Sequence, residues 1–169
     1  MSVRRLTDAD APLLRALRLR ALREEPDPFL TTFEEEQARP IEDLVARLRQ
    51  QSDTSDSAVL GAFEGEALVG MLGFYRDGHR KARHRVDLWG MYVAPEARGR
   101  GHGRALLDAA LARIAEIPGV EQVHLGVSAT SEAARALYVR AGFKATGVLP
   151  RAMKDGDRYI DEELMMRPL

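Results

Sequence analysis

A glycine-rich segment joins an apolar stretch of the chain to a stretch rich in alanine and leucine. It reads VAPEARGRGHGRALL from Val93 to Leu107, with glycines at 99, 101 and 103 and arginines around them. This pattern predicts a β-strand that passes through a tight turn into the N-terminus of an α-helix. The chain is therefore expected to combine a sheet with helices that cover it.

The residues of this turn favour the binding of a diphosphate. The first N–H groups of a helix have no partner, and the helix dipole places partial positive charge at the same end. Glycines allow close approach of a ligand, and Arg98, Arg100 and Arg104 add positive charge. The spacing fits neither a P-loop nor the dinucleotide fingerprint GxGxxG. The alternative is a glycine turn that only tightens a strand-to-helix connection.

The rest of the chain predicts a mixed α/β (α+β) domain with the order β-α-α-β-β-β-α-β-α-β-β. Strands are predicted at 2–7, 58–64, 67–76, 86–94, 121–129, 143–150 and 158–169, and helices at 11–25, 41–51, 105–117 and 131–142. Ser131 is the expected N-cap of the last helix, and Gly142 the glycine just after it. The segment 29–40 is expected to be a polar connection. We predict one domain over residues 1–169.

Composition excludes several classes of function. The net charge is −1, so no overall field attracts nucleic acid or a membrane, and any anion site must be local. The chain has no cysteine, which excludes disulfides, thiolate metal sites and a cysteine nucleophile. No signal-peptide pattern and no membrane-spanning apolar run is present, so we expect a cytoplasmic protein. With 22 arginines against 3 lysines, an arginine counts as evidence only where a motif requires it.

Two motifs together resemble the GCN5-related N-acetyltransferase (GNAT) superfamily. The first is V-x-P-x-x-R-x-x-G-x-G, carried by Val93, Pro95, Arg98, Gly101 and Gly103. The second is A-x-x-L-Y-x-x-x-G-F, carried by Ala134, Leu137, Tyr138, Gly142 and Phe143. The order of the predicted elements is similar over nearly the whole chain. The resemblance implies a mostly antiparallel twisted sheet that is splayed at the acetyl-CoA strand and flanked by helices.

The resemblance also implies where acetyl-CoA binds. The pyrophosphate is expected on the backbone of Gly99, Arg100, Gly101, His102, Gly103 and Arg104, with Arg98 opening the motif. The pantetheine arm is expected along Met91, Tyr92 and Val93. Gly90 suits the bulge that splays this strand in the family, and close packing against a helix is the alternative. No metal is implied.

Tyr138 is the expected catalytic acid. In the family this tyrosine lies near the thioester sulfur, where it protonates the departing thiolate. The alternative is a tyrosine that packs its helix on the sheet. The sequence departs from the family at Ser131, where asparagine is usual and helps to bind the cofactor arm. It departs again at Gly126, where ribosomal-protein acetyltransferases carry a glutamate base.

Asp87 is the expected base, because it lies six residues before Val93, at the spacing of the glutamate in histone-type members. Strand alternation puts Asp87 and Val93 on one face unless a bulge intervenes. The alternative for Asp87 is an ion pair with the basic segment HRKARHR, residues 79–85. His84 and His124 are further candidates. The basic segment itself is either a solvated loop or a rim that favours acidic substrates.

The acceptor is expected to be a primary amine of a small molecule or peptide, acetylated directly without an acyl-enzyme. Acidic clusters at 34–36 and 161–163 suit a cationic amine, and solvated edges explain them equally well. We expect no nucleic-acid or membrane partner, and a monomer or homodimer. The competing interpretation is a CoA-binding module of the same fold without catalysis. A nucleotide-binding protein fails on glycine spacing and strand order.

Overall fold

The computed structural model describes residues 1–169 as one seven-stranded sheet with five α-helices. The strands are β1 (Ser2–Arg5), β2 (Ser57–Glu64), β3 (Ala67–Arg76), β4 (Arg85–Val93), β5 (Gln122–Ser128), β6 (Lys144–Asp155) and β7 (Arg158–Pro168). The helices are α1 (Ala11–Glu24), α2 (Phe33–Ala38), α3 (Ile41–Ser52), α4 (His102–Ala115) and α5 (Glu132–Arg140). The sheet order is β1-β2-β3-β4-β5-β7-β6, and only β4 and β5 are parallel. The mixed α/β prediction is confirmed.

Helix α2 lies where the sequence analysis expects only a polar connection. Thr32 and Glu35 form a capping box: Glu35 N–H donates to the Thr32 hydroxyl over 3.2 Å, and Thr32 N–H donates to the Glu35 carboxylate over 2.8 Å. Glu36 then pairs with Arg18 on α1 through two buried hydrogen bonds. A helix of six residues has little stability of its own, so this cap and ion pair hold it in place.

The sheet is covered on both faces. Leu106, Leu107 and Ile114 of α4 pack on one face, in a cluster with apolar residues from β2 to β5. Leu14 of α1 and Leu48 of α3 belong to a second cluster on the opposite face. We call these the α4 face and the α1 face. None of the helices combines the length and apolar character that crossing a membrane requires.

Strands β4 and β5 separate after three paired residues. Arg85 pairs with Gln122, Val86 with Val123 and Asp87 with His124. Beyond this point β4 continues along β3 and β5 along β7, which leaves a fork between them. The predicted splay of the sheet is therefore present.

A bulge bends β4 at the fork. Gly73 pairs with Trp89 and Met71 pairs with Tyr92, so two residues of β4 lie opposite one residue of β3. Gly90, one of the two residues that lie opposite Leu72, has φ +66, a left-handed value that favours glycine. The predicted bulge is confirmed. The alternative of close packing is wrong, because a Cβ at Gly90 would have no neighbour within 4 Å.

Candidate functional site

The loop between β4 and α4 depends on two left-handed glycines. Gly99 has φ +75 and Gly101 has φ +88, and neither would bring a Cβ within 4 Å of another atom. Glycine is needed at both positions because of the backbone conformation: a residue with a side chain would be strained there, although it would have enough space. Gly103 differs, because it lies in α4 and packs against Leu137 and Val93. Helix α4 starts at His102, three residues earlier than predicted.

Six consecutive main-chain N–H groups, from Gly99 to Arg104, donate no hydrogen bond within the protein. The first bond of the helix runs from Ala105 N–H to the Gly101 carbonyl over 2.9 Å. Unpaired N–H groups at a helix N-terminus, next to left-handed residues, form a concave site that binds anions. This arrangement suits the phosphate groups that the glycine pattern predicts.

The arginines of the loop are already paired inside the chain. Arg98 binds Glu25 at 2.6 Å and also donates to the Val93 carbonyl. Arg100 binds Glu64 at 3.1 Å, and Arg104 binds Asp108 at 2.7 Å. Because the arginine charges are already paired with carboxylates, the positive potential available to a ligand comes chiefly from the six N–H groups and the helix dipole.

His102 has its side chain turned away from the loop surface. The imidazole is buried, and Nε2 lies 2.7 Å from a carboxylate oxygen of Glu64 at the end of β2. Hydrogen bonds from His102 and Arg100 lower the pKa of Glu64 below its usual value. Glu64 thus ties the loop to the sheet, a role that no sequence motif indicated.

The bulge places the two ends of β4 on different faces. Before it, Val86 and Leu88 belong to the α4 face, so Asp87 lies on the α1 face. After it, Met91 and Val93 pack on the α4 face and Tyr92 is buried on the α1 face. Asp87 and Val93 therefore lie on opposite faces, as expected for a strand with a bulge between them.

Met91, Tyr92 and Val93 form the edge of β4 that borders the fork. Pairing with β5 stops at Asp87, so this edge has no strand on its open side. The Tyr92 hydroxyl donates to Glu24 over 3.1 Å. Burial and this hydrogen bond raise the pKa of Tyr92 to about 12. The Tyr92 side chain is thus fixed to α1, which leaves the backbone of the edge for a ligand.

Tyr138 of α5 is 5 % exposed, and its ring meets Phe143 edge-on at 5.8 Å between centroids. Its hydroxyl makes no hydrogen bond within the chain. Burial raises the pKa of Tyr138 well above its usual value, so the phenol stays protonated. The structure shows the packing role that the sequence analysis holds as an alternative, together with a hydroxyl that has no competing partner.

Asp87 and His124 meet at the last pair before the fork, with Tyr75 opposite Asp87 on β3. Burial raises the pKa of Asp87 and lowers the pKa of His124, whose buried Nε2 has no partner. The ion pair with 79–85 that was the alternative for Asp87 is absent; Arg85 of that segment lies 3.9 Å from Asp77 instead. His84 precedes β4, and its carbonyl accepts from Glu121 N–H.

Ser131 occupies the N-cap position of α5, as predicted, but its hydroxyl makes no capping bond. The hydroxyl makes no other hydrogen bond within the chain. Gly142 follows the helix with φ +91, as expected. The side chain at 131 is therefore free for a ligand, although shorter than the asparagine that is usual in the family.

A cavity of about 720 Å³ lies between the α1–α2 connection and the β6–β7 hairpin. Phe29, Leu30 and Phe33 line one side, and Met153 and Ile160 line the other. A bidentate ion pair between Asp27 and Arg158 joins the same two segments. Mixed apolar and polar lining of this kind is typical of small-molecule sites.

Most of the acidic residues noted in the sequence have partners. Glu35 caps α2, Glu36 pairs with Arg18, and Glu163 pairs with Arg135. Glu34 lines the cavity, and Glu162 has no partner within the chain. No group of three or more histidine, aspartate or glutamate side chains is placed to hold a metal ion.

Comparisons with known proteins agree with this geometry. The model of the acetyltransferase (GNAT) family matches residues 18–143. Mycothiol acetyltransferase of Propionibacterium freudenreichii subsp. shermanii is 36 % identical over 100 residues, which are 58 % of this chain and 31 % of that protein. The chain thus aligns with about a third of this relative's length.

Solved structures resemble the chain over nearly all of its length. Ribosomal-protein-alanine N-acetyltransferase from Brucella melitensis has a TM-score of 0.85 at 26 % identity, with 100 % of both chains covered. Phosphinothricin acetyltransferase from Sinorhizobium meliloti, solved with acetyl-CoA, has a TM-score of 0.82 at 22 % identity. That alignment covers 99 % of this chain and 88 % of the other. At this identity the second likeness concerns the fold alone.

Proposed function

The chain belongs to the acetyltransferase (GNAT) family, and from this premise we propose that it is an acetyl-CoA-dependent N-acetyltransferase. It moves the acetyl group directly to a primary amine of a small molecule or peptide. The observation that carries the proposal is the set of six unpaired N–H groups at 99–104, beside an open fork in the sheet. A diphosphate and an extended thioester arm fit these two features together.

The backbone is proposed to do most of the cofactor binding. The N–H groups from Gly99 to Arg104 bind the diphosphate. The arginines of the loop move from their carboxylate partners within the chain toward the bound diphosphate. The edge at 91–93 binds the pantetheine arm as a strand would, with Ser131 near the arm. This placement brings the thioester into the fork, close to the end of the β4–β5 pairing.

Tyr138 and Asp87 are the proposed catalytic residues. The amine attacks the thioester carbonyl, and Tyr138 protonates the sulfur as the C–S bond breaks. Asp87 receives a proton from the acceptor nitrogen, directly or through water. The two groups suit these tasks because burial keeps Tyr138 protonated and makes Asp87 more basic than a solvated aspartate. The rest of the rate acceleration comes from holding the amine and the thioester next to each other in the fork.

The cavity between the α1–α2 connection and the β6–β7 hairpin is the proposed acceptor site. We propose that residues 1–169 act as one cytoplasmic domain, a monomer or homodimer, without metal, nucleic-acid or membrane partners. A CoA-binding module without catalysis is the second candidate, favoured by Gly126 and Ser131. The unpaired hydroxyl of buried Tyr138 favours the enzyme, since a purely structural position does not need it.

Release of free thiol from acetyl-CoA, measured with a panel of amines, tests the proposal. The panel contains polyamines, aminoglycosides, amino acids, and peptides with free N-termini or lysines. We expect release with one class of acceptor and a rise in Tm on addition of CoA. A thermal shift without any release supports the binding module. Absence of both results would refute the assignment of the glycine loop.

A further inference from the structure

The carboxylate of Glu162 fills the space that a side chain at Gly126 would occupy. A Cβ built on Gly126 collides with the Glu162 side chain, which reaches across from β7. Glu162 pairs with Ser128, so its side chain runs diagonally over β5 toward the fork. The glutamate that ribosomal-protein acetyltransferases carry at this position is absent, and a carboxylate from β7 covers the same position.

Glu162 lies between the acceptor cavity and the fork. Cross-strand pairs share a face, so Glu162, Gly126, His124 and Asp87 all lie on the α1 face. Ile160 precedes Glu162 by two residues on the same face of β7, and it lines the cavity. Along this face Glu162 therefore lies between Ile160, which lines the cavity, and the Asp87–His124 pair.

Glu162 is the member of its acidic run without a partner. Asp161 accepts a hydrogen bond from Arg151 N–H over 2.7 Å, and Glu163 binds Arg135 at 2.7 Å. Glu162 is half-buried and makes neither a hydrogen bond nor an ion pair within the chain. A carboxylate without a partner inside the chain is available to pair with a cationic ligand.

We propose that Glu162 binds the ammonium group of the acceptor and receives its first proton. This step rests on the proposed function. One N–H bond of the ammonium breaks, an O–H bond forms on Glu162, and the proton then leaves to solvent past exposed Gly126. The neutral amine attacks the thioester. Asp87 takes the second proton from nitrogen and returns it through water to Tyr138, which has protonated the sulfur.

Two small nucleophiles separate this role from a structural one. Methylamine is protonated at neutral pH, whereas hydroxylamine is already neutral and needs no base before attack. For Glu162→Gln we expect kcat/KM with methylamine to fall about 100-fold, and kcat/KM with hydroxylamine to change less than about threefold. Glu163→Gln is the matched control, because Glu163 is the next residue but lies on the opposite face beside Arg135. It should leave both values near those of the wild type.

The outcomes distinguish this inference from the proposed function. Suppose that the wild type acetylates both nucleophiles and that Glu162→Gln keeps kcat/KM for both, or loses it equally for both. The Glu162 step is then overturned, and the proposed function stands. If the wild type releases thiol with neither nucleophile and with no amine of the panel, the proposed function fails and the Glu162 step with it. A CoA-induced rise in Tm, equal in the wild type and Glu162→Gln, verifies that the variant is folded.

A second variant moves the carboxylate back to β5. Glu162→Ala removes the side chain that covers Gly126, and the added change Gly126→Glu places a carboxylate in the same space. We expect the double variant to recover methylamine transfer at least about tenfold over Glu162→Ala. A double variant that folds and binds CoA but remains as slow as Glu162→Ala overturns the placement.

Discussion

The glycine loop and the cavity are built from different parts of the chain. Under the proposed function the loop is the cofactor half of the site and the cavity is the acceptor half. The loop offers six main-chain N–H groups, and its side chains point to internal partners. The cavity is lined by side chains from the α1–α2 connection and the β6–β7 hairpin. Recognition by main-chain N–H groups depends on a particular loop conformation, and few sequences can adopt the one seen here. Side-chain recognition changes with every substitution, so we expect the cavity, the proposed acceptor half, to set specificity.

Gly101→Val should break the cofactor half and give the largest effect. Valine at φ +88 is strained, and a shift of the turn removes N–H groups from the diphosphate. Loss of about 3 kcal/mol corresponds to an acetyl-CoA affinity about 100-fold weaker, measurable by calorimetry. Gly147→Val is the control, because Gly147 has the same open surroundings without a left-handed φ. Equal affinities for the two variants would contradict the role of the loop conformation.

Tyr138→Phe should leave the cofactor half intact and impair the chemistry between the halves. Thiol release at saturating acetyl-CoA should fall about tenfold or more, with an unchanged CoA affinity. Because burial raises the pKa of Tyr138, wild-type activity should not decline up to about pH 10, where an exposed tyrosine ionises. A variant with wild-type turnover would leave Tyr138 with its packing role alone.

Asp87→Asn should lower activity and raise stability. Burial raises the pKa of Asp87 in the fold, so the ionised form disfavours folding, and this cost grows as pH rises through that pKa. We expect turnover to fall about fivefold and Tm at neutral pH to rise by about 1–3 °C, with no gain at low pH. Asp77→Asn is the control of opposite sign, because hydrogen bonds from His79 lower the pKa of Asp77. A fall in Tm for Asp87→Asn would count against this assignment.

Asp27→Asn should give the smallest effect, confined to the acceptor half. It breaks the ion pair with Arg158 that joins the two sides of the cavity. Exposed pairs contribute about 0–1 kcal/mol, so KM for the acceptor should rise about two- to threefold at unchanged CoA affinity. Arg135→Ala breaks an exposed pair outside the cavity and should leave KM unchanged. A change in CoA affinity instead would show that the two halves are coupled.

The fold and the conformation of the glycine loop could be predicted because they rest on local signals. The turn residues, the strand patterns and the glycine spacing predict all seven strands, whereas the site of the bulge came from the family resemblance. Helix α2 also had a local signal, the capping box of Thr32 and Glu35, which the sequence analysis did not use. The contacts of Glu64 and Glu162 had no local sequence signal, because each contact joins residues that are far apart in the chain.

Gly90 gives β4 two segments of opposite parity. Odd-numbered residues up to Trp89 serve the α1 face, and odd-numbered residues from Met91 onward serve the α4 face. Even–odd alternation therefore predicts the wrong face for any residue that is counted from the other side of Gly90. The segment before Gly90 and the segment after it are consequently free to change their apolar patterns independently, although they are consecutive stretches of a single strand.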